Sequence, residues 1–583
     1  MSMQLLLALL FAVAPTGTAP SASTVSQPVA TTPSIWTVAS PPRDASASPS
    51  AMSAAAPPAA APSADAKTAS VSALPASTSP SNPNMPKPTA TATTTAPASH
   101  NDKAAVAATP AKLGNPADAS KSAATNIPAG KSDEPEIVAL PKDLPPYGKE
   151  RSLPPVHIEQ RKLANGLTVW VLPRDDGPPK IHYVLTIRGG LAADPPMQSG
   201  FASFLADMLI EGTGARDALR IAHDLQSYGG GLQCEASRDG ITLSASGLAS
   251  NAAKLITLLS EVALQPAFPQ REIELGKLNA MQALTAAEAD PDYQARRAMG
   301  KLVFARHAYG RVLATPGSIV TITPDMLHAE HDHRFRPDQA LLVITGRIAP
   351  DAAFQLAESV FGDWRAEGGP PDITGPVPMQ VAPGHVFVER SDSVQSAIRI
   401  GRPAIAADSP DYFPLQLTNA VFGGGFTSRL NQNLREDKGY TYGAGSSIGA
   451  ERAGGAVVAS AHVRNEVTGA ALAEFMHEYQ RLGSTPVSDD ELAQTKHYLA
   501  GGYLLLNQQQ AQVAATLADY WLVGLPPQTL SGYVPKLQAV NAMQVQAMAK
   551  KYFAPQDQSI VVVGDAAVLS QLAPYGTFEK QSR

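Results

Sequence analysis

Two long stretches of this chain repeat one plan of apolar and polar positions. In the first, apolar runs at 167–172 and 181–187 read as strands, and the Asn165-Gly166 pair ahead of the first run predicts a tight hairpin with the segment around Arg161. A helix is expected from Ser199, with strands at 232–237 and 242–246. Residues 252–263 carry apolar side chains at helical spacing, and Pro266-Ala-Phe-Pro marks a break before the next helix. Residues 340–346 predict a strand that follows a helix, and this half closes near Gly362-Asp-Trp364. The second pass begins with strands at 385–389 and 395–401. Its helix at 412–422 is the counterpart of the one that starts at Ser199. Ser488-Asp-Asp-Glu491 predicts a capping box, in which the Ser oxygen and the Glu carboxylate satisfy free amides of a helix running through Ala500. Residues 559–564 are the closing strand. Strands interspersed with helix pairs give an α+β architecture of two homologous layered domains, each a mainly antiparallel sheet packed with helices, over residues 151–375 and 380–578. Each has about 200 residues, enough to support its own core.

Composition changes the picture at the N-terminus. Residues 5–14 are apolar and small residues follow, which suits a secretory signal over residues 1–20 and is too short to span a bilayer. Residues 21–150 are dominated by Ala, Pro, Ser and Thr with few aromatic or branched aliphatic side chains, so they are expected to form a disordered, partly polyproline-II linker. The protein is therefore expected to be exported, to a bacterial periplasm, or held at the membrane by an uncleaved signal, with no other transmembrane span. A net charge of −6 with 16% charged residues offers no basic stripe for nucleic acid. The single cysteine, Cys234, excludes an internal disulfide framework and a cysteine zinc cage, and lies in a strand pattern that suits a small buried side chain.

The chemistry-bearing motifs follow in order. Asn165-Gly166-Leu167 is followed by Gly200, Ala202, Phe204, Leu205, Met208 and Gly212-Thr213. Downstream come His307-Ala-Tyr309-Gly310-Arg311, then Arg336-Pro337-Asp338 leading into residues 340–346. The second half carries Gly423-Gly424-Gly425-Phe-Thr-Ser-Arg429 and Gly439-Tyr-Thr-Tyr442-Gly443. In this order and over about residues 155–573, the chain resembles the pitrilysin/insulinase family of metallopeptidases. That resemblance implies two domains that close, with a second chain, like a clamshell around a peptide chamber. It also implies a His-x-x-Glu-His helix in which two imidazoles hold zinc while the Glu activates water. Here those places hold Ser203, Ala206 and Asp207. The family's third ligand, a Glu from a later helix, has no counterpart in residues 279–285, and the first acid is Glu288. The resemblance therefore implies that this chain binds no cofactor itself.

A second part of the family's site is present. The resemblance places an Arg and a Tyr, seven residues apart, across the chamber from the zinc, and they fall on Arg435 and Tyr442. A fixed guanidinium and a phenol can donate hydrogen bonds to the charge that builds on a scissile carbonyl oxygen. Read without the family, Arg435 would pair with Glu436 or Asp437, and Tyr442 would be a half-buried strand residue. Gly423, Gly424 and Gly425 would let backbone approach a substrate peptide or another domain, and lack the Lys-Ser/Thr of a phosphate loop. His328-Ala-Glu-His331-Asp-His333 invites a metal reading but has neither zincin spacing. The leading expectation is a non-catalytic subunit of a heterodimeric zinc peptidase, in which a zinc-bearing partner of the same family works with Arg435 and Tyr442 on a peptide substrate. The alternatives are a silent binding or assembly protein and, last, an independent metallopeptidase.

Overall fold

In a computed structural model, the described residues are 157–581 apart from 176 and 373–374, so the signal and linker segments read from the sequence lie outside them. The tandem repeat is real: one six-stranded sheet has the order β1-β2-β6-β3-β5-β4 and the other β12-β7-β11-β8-β10-β9. The strands of the first are Glu159–Lys162, Thr168–Pro173, Lys180–Arg188, Gly231–Ala236, Gly240–Leu248 and Ala340–Gly346, for β1 to β6 in chain order. Those of the second, β7 to β12, are His385–Glu389, Gln395–Ala404, Ala444–Ala450, Gly455–Arg464, Ser559–Gly564 and Glu579–Gln581. β2 pairs parallel with β6, and β7 parallel with β11 and β12; the other pairings are antiparallel. Among the described residues no helix is long and apolar enough to cross a membrane.

The hairpin forms at its predicted place. Gly166 takes the left-handed φ of 99° that the turn needs, while Asn165 donates its side-chain amide to the carbonyl of Phe361 at 2.6 Å and so ties the turn to the end of the domain. The capping box forms only by half. Ser488 Oγ accepts from the Glu491 amide at 3.2 Å, but the Glu491 carboxylate is drawn away into a two-pronged pair with Arg429, at 2.8 and 2.7 Å. A bidentate charge-assisted pair outweighs a single neutral amide donor.

The central strands explain how the halves are joined. β6 is buried on both faces, and successive side chains of a strand point to opposite sides. Leu342 and Ile344 face the helices of their own half, together with Val169 and Val171 of β2. Leu341 and Val343, with Trp170, Leu172 and Val184, enter the core of the other half. What covers them is the helix Gln510–Leu522, which belongs to the C-terminal repeat yet packs on β3 and β6. The exchange is reciprocal: the helix Pro291–Phe304 leaves the N-terminal repeat and packs on β8 and β11, where Ala295, Ala298 and Met299 meet Val386, Val388, Ala397, Val561 and Val563. The two domains thus share their cores, which the reading of two self-sufficient units had not anticipated.

Candidate functional site

The helix Phe201–Met208 begins at Gly200, whose φ of 85° and 2.7 Å approach to Ala314 leave no room for a side chain. Its N-terminus is held from below. Asp194 accepts from the Ala202 amide at 3.1 Å and pairs with Arg334 at 3.0 Å, both side chains being buried. One face of the helix, Phe201, Ala202, Phe204, Leu205, Ala206 and Met208, is core. Ser203 and Asp207, one turn apart, share the outward face, and Ala206 is fully buried. The crowding of neighbouring atoms around Asp207, with Glu211 beside it, pushes its carboxyl up to about 6 although the residue is open to solvent. This surface does not fit a zinc ion. Its three motif positions offer a hydroxyl, a buried methyl and one carboxylate reluctant to ionise, where a catalytic zinc takes three protein ligands. The nearest acid of the following helix beyond the 279–285 stretch, Glu288, pairs with Arg297 at 3.2 Å. No group of three potential metal-ligating side chains converges among the described residues.

Of the histidine cluster, His331 is packed while His328 and His333 are exposed. His331 is buried, with Nε2 on the Ala263 carbonyl at 2.8 Å and Nδ1 by Asp332 at 3.3 Å, and its ring stacks on Phe335 at 4.4 Å. Both ring nitrogens have protein partners. Cys234, half-buried on β4, has its thiol pushed up by burial and by the charges of Asp207 and Glu235, which suppresses the reactive thiolate.

The segment from Asn419 to Gly443 is built differently. It runs through two π-helical turns, Ala420–Gly424 and Gln432–Asp437, a rare geometry concentrated at functional sites. Buried amides staple it. Asn419 exchanges hydrogen bonds with Ser446, Asn431 donates to the Phe426 carbonyl at 2.7 Å, and Asn433 donates to Glu478 at 2.8 Å. The Arg429 pair to Glu491 adds a charged tie. Gly423 lets this turn approach β9, since a Cβ there would meet Ser446 Oγ at 2.6 Å, and Gly425 faces the Tyr498 ring. Arg435 lies on the second turn, half-exposed, its guanidinium 4.4 Å over the Phe426 ring and its Nε 3.4 Å from Glu436. That surface pair is worth little, so Arg435 keeps most of its donor capacity. Tyr442 stands before β9 rather than within a strand and is 95% exposed, and Phe426 beside Arg435 is 56% exposed. Sequence reasoning passed over Phe426, although its place directly after the glycine run was the signal for it.

A third group of residues was also missed. Asp519, on the Gln510–Leu522 helix, has its carboxyl pushed up to about 8, first by burial and then by the charges of Glu235 and Glu451. A folded-state value above the unfolded one means that the folded chain holds the extra proton, so stability falls as pH rises from about 4 to about 8. Asp519→Asn is therefore expected to leave the thermal midpoint unchanged at pH 4 and to raise it by about 2 °C or more at pH 9. Calorimetry across that range checks it, and equal midpoints at pH 9 would contradict the assignment.

Residues 170–317 match the model of the insulinase family, peptidase family M16, and residues 321–499 match the model described as the peptidase M16 inactive domain. A protein of Bacillus subtilis named uncharacterized zinc protease YmxG is 23% identical over 412 residues, covering 70% of this chain and 98% of its own length. One of Helicobacter pylori named non-peptidase homolog YmxG is 24% identical, covering 65% of this chain and 88% of its own. Among solved structures, a peptidase M16 inactive domain from Pseudomonas fluorescens superposes with a TM-score of 0.66 at 22% identity, over 70% of this chain and 99% of that one. A protease from Helicobacter pylori does so with the same score at 17% identity, over 70% of this chain and 99% of that one.

Proposed function

We propose that this chain, which belongs to the M16 insulinase family of peptidases, is the non-catalytic subunit of a heterodimer and works on peptide substrates bound at a partner's zinc. The observation that carries the reading is the contrast between two faces of one molecule. Where the family resemblance puts zinc, Ser203, Ala206 and Asp207 cannot hold it. Where it puts the charge-stabilising pair, Arg435 is set on a stapled turn with its guanidinium held only by the Phe426 ring and a weak surface pair to Glu436, next to the exposed Phe426 and Tyr442. An arginine kept for packing would be buried in a matched pair, as Arg429 is with Glu491. In the assembled enzyme Arg435 and Tyr442 would donate hydrogen bonds to the oxygen of the scissile carbonyl as it gains charge, while the partner supplies the metal and the base. Export to the periplasm, through the segment over residues 1–20, is part of the same reading.

The test mixes this protein with a His-x-x-Glu-His homologue and follows peptide hydrolysis. The chain alone is expected to be inert, the mixture active, and the mixture with Arg435→Ala slower by about 10²–10³, the effect of removing one preorganised oxyanion donor. Tyr442→Phe is expected to cost less, because one neutral donor is lost rather than a charged one. If the mixture's turnover ignores Arg435, a scaffolding role for the chain replaces this one. If the chain alone cleaves peptide with zinc bound, both are wrong.

A further inference from the structure

Away from the stapled turn, an open recess lies where the two halves meet and is lined by three arginines: Arg188 at the end of β3, Arg238 in the β4–β5 turn and Arg452 in the β9–β10 turn. Two of them form no salt bridge among the described residues, although both lie near the Asp239 carboxylate. Arg188 donates to the Trp521 carbonyl at 2.9 Å and stacks on that ring at 4.0 Å, and the Arg452 side chain makes no ion pair. Only Arg238 is paired, with Glu451 at 3.0 Å. Two carboxylates also line the recess. Asp239 is occupied at both oxygens, by the Tyr309 hydroxyl and by the Arg452 backbone amide, while Asp372 forms no ion pair among the described residues. Each arginine keeps one buried N–H without an acceptor: Nε of Arg188, Nε of Arg238 and Nη1 of Arg452. Leaving such donors unmet costs free energy, and so does crowding like charges. Burial and the nearby charge of Arg452, against the pull of Asp239, hold the Arg188 guanidinium down to about 10.

We infer that this recess binds a small oxyanion, a carboxylate or phosphate group, bridged by guanidiniums of both halves. Arginine forks match the oxygens of either group, and an anion there would offset the crowding of Arg188 by Arg452. The inference is independent of the heterodimer reading, because it concerns neither Arg435 nor the zinc-helix position.

The test is calorimetric titration of the full chain in a buffer free of both anions. One arm uses inorganic phosphate; the other uses a short peptide as free acid, with the same peptide as its C-terminal amide for control. Saturable 1:1 binding in at least one arm is expected, weakened about tenfold or more in Arg452→Gln and less in Arg452→Lys. Arg435→Ala should bind as the unaltered protein does. Phosphate binding alone identifies a phosphate-type ligand, and binding of the acid but not the amide identifies a carboxylate. Thermal midpoints without ligand confirm that the Arg452 variants are folded, and bound ligand should raise the midpoint of the unaltered protein and of Arg435→Ala more than that of Arg452→Gln. Absence of saturable binding in both arms, or equal affinity in folded Arg452→Gln, overturns the site.

Discussion

Replacing Arg334 by methionine is expected to lower the stability of this protein by about 3–5 kcal/mol, the cost of removing one member of a buried ion pair. The guanidinium is wholly buried and does four things at once. It pairs with Asp194 at 3.0 Å and Glu330 at 2.8 Å, and donates to the carbonyls of Gly189 and Gly190 at 2.9 and 3.1 Å. Methionine fills much of the volume but leaves two buried carbonyls without their donor and Asp194 without its counter-charge. Burial already pushes Asp194 up to about 6 against the pull of Arg334. Without Arg334 the value rises further, so the folded chain retains a proton that the unfolded chain releases. The penalty should then grow as pH rises from 5 to 8. Urea unfolding at the two pH values measures it. Adding Asp194→Asn should recover part of the loss at pH 8, because the orphaned charge is gone; a strictly additive double variant would show that the two residues are not coupled. Because Asp194 also accepts from Ala202, the same change should loosen the start of the Phe201–Met208 helix, which faster amide exchange there would reveal.

The second large effect concerns the shared cores. Expressed separately, residues 151–375 and 380–578 are each expected to fail to fold stably, and to form a soluble complex when produced together. The N-terminal piece alone would expose Trp170, Leu172, Val184, Leu341 and Val343, which the Gln510–Leu522 helix covers. Each such side chain returned to water forfeits about 1.5–3 kcal/mol, and five of them approach or exceed the whole stability of an ordinary domain. Far-ultraviolet and near-ultraviolet circular dichroism of the separate pieces gives the readout. A cooperative unfolding transition in the N-terminal piece alone would refute the dependence. Within the intact chain, Leu517→Ala on the exchanged helix is expected to cost about 2–5 kcal/mol for the same reason.

The local chemistry of this protein was legible in its residues. The Asn165-Gly166 hairpin, the Tyr412–Asn419 helix as counterpart of the Phe201–Met208 helix, and the repeated plan of strand and helix follow from turn chemistry and apolar period, which act over a few residues. The vacant ligand positions were equally plain, since no packing can turn a serine, an alanine and an aspartate into two imidazoles and a glutamate. Where the reading fell short, a distant partner decided the outcome. Glu491 had the place of a capping residue, and Arg429, 62 positions away, took its carboxylate. Three arginines scattered over more than 260 residues gave no sign that they would line one recess.

The sequence by itself therefore determined where the strands at 340–346 and 559–564 lie and which side chains the first domain lacks for zinc. An apolar run bounded by turn signals carries that much, because it marks a strand through side chains only a few residues apart. It does not say whose helix lies on each face. The tertiary structure alone decided that the Pro291–Phe304 and Gln510–Leu522 helices change places, because any amphipathic helix of suitable width can cover an apolar sheet face, and the choice between candidates hundreds of residues apart rests on shape and connection rather than on local pattern.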